Sequence, residues 1–235
     1  MIRSIDTLTK NFQILQKRQE NTSSNMANSQ TTGFQSQRLF QQTLEEVDMM
    51  NHQGGPEVNR RNPIGGFTFG NEIAGSALDT SRGALEQTTR TTDFAVKSEG
   101  YFSVRMPNGQ EGYTRNGHFG VNAQNQLVTQ EGYLVLGANN QGVAANDTRP
   151  NFKITAFNEP QRLQIAGNGY FTSQVAGTVV ANAQVKQGYL ETSNVTVADE
   201  MVELMQTARE YEANQKVLST VNQTLQKATN EIGRV

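Results

Sequence analysis

Apolar and polar residues follow two regimes in this chain, with three-and-four spacing at both ends and alternation in the middle. Towards the C-terminus Val197, Met201, Leu204, Ala208, Tyr211, Gln215, Leu218, Asn222, Leu225, Thr229 and Ile232 alternate steps of four and three. That spacing keeps one stripe of a helix facing a partner helix. Thr196 reads as the N-cap, Asp199 and Glu200 suit the positive end of the helix, and Gly233 supplies the left-handed stop. A helix of this span is about 54 Å long at about 1.5 Å per residue. It overruns the core of a small domain, so its stripe is expected to find partners beyond its own body. Glu212 and Lys216 support the outer face in the favourable order. A helix packed wholly within its own bundle is the plainer alternative. The polar Gln215, Asn222 and Thr229 in the stripe favour a role in fixing register and partner instead.

The N-terminus carries a matching stripe. After Ser4, a plausible N-cap, come Ile5, Leu8, Phe12, Leu15, Gln19, Thr22 and Met26. One helix from each terminus predicts a coiled-coil unit that neighbouring copies could complete. Gly33, in the turn-forming run Ala27-Asn28-Ser29-Gln30-Thr31-Thr32-Gly33-Phe34, is expected to close the first helix. The pattern then weakens. A short helical piece through Leu39, Thr43, Leu44 and Val47 is expected, followed by Gly54-Gly55-Pro56, Pro63 and Gly65-Gly66, which read as a long connector that is functional or orders on contact.

Alternation takes over near Thr88. Phe94 and Val96, then Phe102, Val104 and Met106, lead into the turn Pro107-Asn108-Gly109, and Tyr113 begins the return. Asn116-Gly117, Glu131-Gly132 and Asn139-Asn140-Gln141-Gly142 separate short strands at 119–121, 127–128 and 133–136. A second group gathers around Ile154, Leu163 and Ile165, with Gly167-Asn168-Gly169 turning into Tyr170-Phe171. The expected fold is α+β: N- and C-terminal coiled-coil helices flanking one inserted antiparallel all-β domain. Its divisions are 1–35 and 188–235 for the helices, 36–86 for the extended connector and 87–187 for the β domain.

Composition narrows the function. A chain of 235 residues can bury a sizeable core, and its net charge of −2, from 20 basic and 22 acidic residues, comes without a basic block beyond Arg60-Arg61, so no nucleic-acid partner is expected. Charged residues are 18% of the chain, below the typical figure of about 25%, and such a surface suits packing among related chains. The absence of cysteine removes disulfides, thiolate metal sites and cysteine catalysis. Arg3, Lys10, Lys17 and Arg18 break any apolar stretch of a signal peptide, and no apolar run reaches the length of about 18 that a membrane span needs.

Candidate chemistry is thin. His52 and His118 lack partners at metal or triad spacing and read as surface histidines. The segment Gly65-Gly66-Phe67-Thr68-Phe69-Gly70 reads as a loop without phosphate-cradle spacing. Asp93, Glu99, Glu111 and Glu131 could form a glycosidase pair only if two stood across one cleft. The sequons at Asn146, Asn194 and Asn222 carry little meaning without a secretory signal. No catalytic residue, cofactor, metal or small-molecule substrate is expected.

Three stretches resemble the bacterial flagellar basal-body rod and hook proteins, in order along nearly the whole chain. Ala27-Asn28 with Thr31-Thr32-Gly33-Phe34 is similar to the family's N-terminal signature. Thr92-Asp93-Phe94-Ala95-Val96, Gly100-Tyr101-Phe102-Ser103-Val104 and Tyr113-Thr114-Arg115-Asn116-Gly117-His118-Phe119 look like its β-domain entry. Gly188-Tyr189-Leu190-Glu191-Thr192-Ser193-Asn194-Val195 and Tyr211-Glu212-Ala213-Asn214-Gln215-Lys216-Val217 resemble its last motif and helix. Ser24, Gln35, Ala208 and Glu210 depart from residues usual in the family, which are Asn, Lys, Gln and Ala at those places.

The resemblance implies a non-enzymatic structural subunit whose terminal helices line an axial export channel, with the β domain outside. It implies flagellar type III export without a cleaved signal peptide, a basal-body location spanning the cell envelope, and a part in swimming and swarming motility. The implied partners are further copies and other rod and hook subunits, the export apparatus, and ring proteins or peptidoglycan around the shaft. A short hook-type subunit is one alternative, although hook proteins generally carry further outer β domains. A secreted peptidoglycan hydrolase or glycan-binding module is the alternative from another class.

Overall fold

The computed structural model describes residues 2–52, 61–68, 70–147, 150–167, 169–181 and 183–232. They form two compact units, one from Met1–Ser23, Leu39–Ser76 and Asp199–Val235, the other from Ser24–Arg38 and Ala77–Ala198. The chain is α+β, with a helix at each end and antiparallel ladders between.

The first unit holds most of α1 (Ile2–Ala27) and α2 (Val197–Ile232). Neither helical span contains glycine or proline, so nothing in the backbone interrupts them. Helix α1 begins ahead of Ser4, the expected cap, and ends at Ala27, where the Asn28 amide donates to the Ser24 carbonyl at 2.8 Å. Asp199 and Glu200 lie in the first turn of α2 as expected. The proposed stop at Gly233 lies outside the described residues.

The expected helical piece at residues 39–47 is absent. Strands β1 (Gln37–Thr43) and β2 (Glu46–His52) stand there instead, followed by β3 (Arg61–Thr68) and β4 (Asn71–Leu78). Strand β1 pairs with β4, and β2 pairs antiparallel with β3. A few apolar residues at helical spacing do not separate a short helix from a strand, and here the pairing partners settle the matter. Pro63 stands opposite Met50 where the β2–β3 register shifts, one of the places in a ladder that tolerates a residue without N–H. The Gly54-Gly55-Pro56 part of the expected connector lies outside the described residues.

The second unit is organised by short strands. Strands β5 (Leu85–Gln87) and β6 (Phe94–Val96) precede β7 (Tyr101–Arg105), β8 (Glu111–Thr114), β9 (Gly120–Val121), β10 (Leu127–Val128) and β11 (Leu134–Val135). Then come β12 (Ile154–Ala156), β13 (Gln164–Gly167), β14 (Tyr170–Thr172), β15 (Thr178–Val179), β16 (Val185–Gln187) and β17 (Tyr189–Glu191). Strand β7 is the hub: β8 lies along one edge, while β12 and β11 share the other, opposite Tyr101–Phe102 and Val104–Arg105 respectively. Successive side chains of β7 point to opposite faces, and both faces are covered. Phe102 and Val104 enter a core with Phe94, Phe119, Phe152 and Ile154, and Tyr101 joins a second cluster with Tyr113, Leu163 and Phe171. Phe102 meets Phe119 and Phe152 edge-on, with centroids 5.1 and 5.3 Å apart, a favoured aromatic geometry.

Candidate assembly surfaces

In the first unit the terminal helices meet. Phe12 lies edge-on to Tyr211 with centroids 5.0 Å apart, and Arg18 reaches Glu203 at 2.5 Å and Glu210 at 2.8 Å. As α1 advances from 12 to 18, its partners on α2 recede from 211 towards 203, so the helices run antiparallel. Burial opposes the charge on Arg18, but hydrogen bonds and attraction from Glu203 and Glu210 outweigh it and raise the guanidinium pKa above its usual value.

The structure distributes the expected stripe unevenly. On α1, Leu15 is 1% exposed, and Ile5, Leu8, Phe12 and Met26 are half-buried. Ile14 and Thr22 are buried beside them, and Gln19 is exposed. On α2, Leu204, Leu218 and Leu225 are half-buried, whereas Val197, Met201, Ala208, Tyr211, Gln215, Asn222 and Thr229 are exposed. The side chain of Ile232 lies outside those described. The inward side of α2 passes through Thr207, which is 2% exposed, and through Val221 and Ala228, none of which lies on the expected series. Both series share Leu204, Leu218 and Leu225, and adjacent heptad positions cannot be ranked from periodicity alone. The outer face of α2 keeps a local apolar patch in which Met201, Val202 and Met205 are 50, 48 and 52% exposed.

The second unit ties three distant stretches together by polar contacts. The Gly33 N–H donates to the Glu191 carbonyl at 2.7 Å, and Arg115 pairs with the Glu191 carboxylate at 3.2 Å, both side chains almost fully buried. The Arg115 guanidinium also lies 5.2 Å from the Tyr101 ring centre, and the Tyr101 hydroxyl donates to Gln35 at 2.9 Å. Burial pushes the Glu191 carboxyl above its usual range, only partly opposed by Arg115, the Gly83 N–H and Arg82. Gly33 does not close α1; it has φ +66°, and a Cβ there would stand 2.4 Å from the Arg115 carbonyl carbon. Only glycine permits both the backbone conformation and that approach.

Asn194, read from sequence as part of a sequon and of the Gly188–Val195 motif, joins this knot. Its Oδ1 accepts from the Ser36 N–H at 2.8 Å, and its Nδ2 donates to the Asp79 and Ser81 carbonyls. In the last turn of α1, Asn25 exchanges two hydrogen bonds with the Gln37 backbone. Asp79 accepts from the Ser81 N–H and pairs with Arg38 at 2.7 Å. Burial pushes its pKa up, but the two Ser81 hydrogen bonds and Arg38 prevail and hold it below its usual value.

His118 is not the solitary surface histidine expected. Its Nδ1 lies 2.9 Å from Asp93 Oδ1, and the two residues form an antiparallel bridge. Arg90 stands 3.1 Å from Nε2, and because a guanidinium only donates, Nε2 accepts and Nδ1 carries the proton to Asp93. The guanidinium occupies the place a triad would give its nucleophile, so the cluster acts as a clip. Two of the other carboxylates singled out in the β region have separate ties: Glu111 pairs with Lys153 at 2.6 Å, and Glu131 accepts from Tyr170.

Comparison with known proteins gives this arrangement its class. Residues 95–205 match the family described as the flagellar hook protein FlgE/F/G D1 domain, and residues 186–231 match the flagellar basal body rod FlgEFG protein C-terminal family. The flagellar basal-body rod protein FlgG of Caulobacter vibrioides is 30% identical over 89% of this chain and 91% of its own length. The protein of the same name from Buchnera aphidicola subsp. Schizaphis graminum is 30% identical over 87% of this chain and 90% of its own. The flagellar hook-basal body complex protein FlhP of Bacillus subtilis is 29% identical over 96% of this chain and 97% of its own. The class is therefore that of flagellar hook and rod structural proteins. Within it, the chain belongs to the flagellar basal-body rod protein family, as a structural subunit of the rod. Family membership places it in the flagellar basal body among other rod and hook subunits.

Proposed function

We propose that the chain polymerises through its terminal helices into the torque-transmitting shaft of the rod, leaving a central channel for export. The α1 stripe Ile5, Leu8, Phe12, Leu15 and Met26 and the α2 stripe from Val197 to Ile232 form the coiled-coil core, completed by neighbouring copies. Residues 36–86 bridge between subunits. The observation that supports this reading is the half-covered stripe of α2: Leu204, Leu218 and Leu225 are half-buried, while Val197, Met201 and Tyr211 remain exposed. Exposed apolar residues in helical register gain stability when another helix covers them.

In this reading the subunit has no catalytic role. It passes through the flagellar type III export apparatus, meets the rings and wall around the shaft, and serves swimming and swarming. Heterologous contacts that do not close on themselves build helical structures of this kind. Replacing Leu204 and Leu218 together with Asp is expected to abolish rod assembly and swimming while leaving the buried β core intact. A strain carrying that variant with normal flagella and normal swimming speed refutes the assembly role of the stripe.

A further inference from the structure

We infer that Met201 and Met205 are a paired oxidation site through which a peroxide-class oxidant disables α2 as an assembly surface. Both residues are about half exposed, at 50 and 52%. They stand one helical turn apart and so share a face. Val202 lies beside them, 48% exposed, so the pair is the reactive part of an apolar patch. By contrast Met26, Met49 and Met106 are only partly exposed. Met50 is 46% exposed but belongs to strand β2 and lies on no helical stripe.

The chemistry is complete with hydrogen peroxide as the sole co-reactant. A sulfur lone pair attacks one peroxide oxygen, an S–O bond forms as the O–O bond breaks, and the second oxygen leaves as water after proton transfer. Each sulfur loses two electrons and the peroxide gains them. The product is a polar, chiral sulfoxide in place of a flexible apolar chain, a change that disrupts methionine-lined interfaces and is reversed by methionine sulfoxide reductases. Two sulfoxides one turn apart convert the patch from a surface that gains by being covered into one that must be desolvated. The consequence for assembly rests on the reading of α2 proposed above; the site of oxidation does not.

The test has two arms. In the first, the purified full chain is exposed to hydrogen peroxide and mapped by peptide mass spectrometry over time. Met201 and Met205 are expected to gain oxygen at least about fivefold faster than Met26 and Met106, following their exposure; equal rates overturn the site. In the second, cells carry M201Q/M205Q, which imposes polarity without oxidation, or M201L/M205L, which keeps the patch apolar and cannot be oxidised. The Gln variant is expected to cut the number of flagella per cell roughly tenfold, as loss of an apolar contact on both residues would, and the Leu variant to leave it unchanged. Normal flagellation in the Gln variant overturns the regulatory consequence. L218D/L225D, which lies well away from both methionines along α2, tests the underlying assembly reading separately. Defects in the Gln and Leu variants alike would trace to side-chain shape and overturn the oxidation proposal as well.

Discussion

The two units of this chain reach order by different means. In the second, β7 is buried from Tyr101 to Val104 and aromatic residues pack on both of its faces, so that unit has an extensive apolar core of its own, although Ile165, Val175 and Val179 stay exposed. In the first, only Ile14 and Leu15 of α1 are buried apolar residues, and α2 contributes none to the core among the described residues. Among the described residues, the contacts that join its helices include the Phe12–Tyr211 ring pair and Arg18 with two carboxylates. The difference teaches which unit carries a large apolar core of its own and which has little of one. A helical unit that keeps its apolar residues half-covered is suited to being completed by something else.

The strongest break in this comparison comes from the unit with the large core. Phe102 is 0% exposed at the centre of the aromatic cluster, and Phe102→Ala is expected to lower stability by about 4 kcal/mol, the loss of transfer energy plus the cavity left behind. Chemical denaturation of the full chain, read by near-ultraviolet circular dichroism, measures it. The same truncation at Met201, exposed on α2, is expected to change the stability of the isolated chain by less than about 0.5 kcal/mol. If the two variants lose comparable stability, the contrast between the units is wrong.

Next in size is the buried pair. Arg115→Met leaves the Glu191 carboxylate without its countercharge while both side chains are 5% exposed or less, and a cost of about 3 kcal/mol is expected at neutral pH because an uncompensated buried charge remains. The pair's pH dependence has a definite sign. The folded-state pKa of Glu191 is raised above the usual 4.5, so the protonated form binds the fold better. Its contribution is complete below that value and is lost as pH rises through the raised one. Wild type is therefore expected to gain on Glu191→Gln as pH falls from neutral towards 4.5, measured as the difference in denaturation midpoints. Asp79 behaves oppositely. Its pKa is held below the usual 3.8, so its contribution is present above that value and lost as pH falls through the lowered one. Asp79→Asn is expected to cost about 0.5–1 kcal/mol at neutral pH, a small figure because Arg38 is largely solvent-exposed. That cost should vanish in acid.

The contrast between the units also governs what could be read in the sequence. Strands β6 to β14 announce themselves because alternation and turn dipeptides are local signals, and both terminal helices follow from uninterrupted three-and-four spacing. The polar knot did not announce itself. Arg115 and Glu191 are 76 positions apart, and Ser36 and Asn194 are 158 apart, so no window along the chain contains both partners. Asp93 and His118, 25 apart, escaped for the same reason. The segment around Leu39 and Val47 misled because its apolar spacing fits a helix, whereas ladder pairing, a non-local property, makes it strand. On α2 the long helix was legible but not the side it turns inward within the chain, where Thr207, almost fully buried, stands next to the exposed Ala208.

The smallest expected effect lies in the helical unit. Arg18 is 19% exposed, but its partners Glu203 and Glu210 are 43 and 51% exposed, so water and salt screen much of the attraction. Arg18→Gln is expected to lower the stability of the isolated chain by less than about 1 kcal/mol, and less again at high ionic strength. Its informative readout is assembly. If copies complete the helical unit, Arg18 and its carboxylates become less exposed in the rod and their pairing strengthens as the dielectric around them falls. The same substitution is then expected to impair flagellation more than its effect on the isolated chain suggests. Counting flagella in Arg18→Gln cells beside the denaturation midpoint of the purified variant makes that comparison. Normal flagellation would mean that the α1–α2 contact matters only within the subunit.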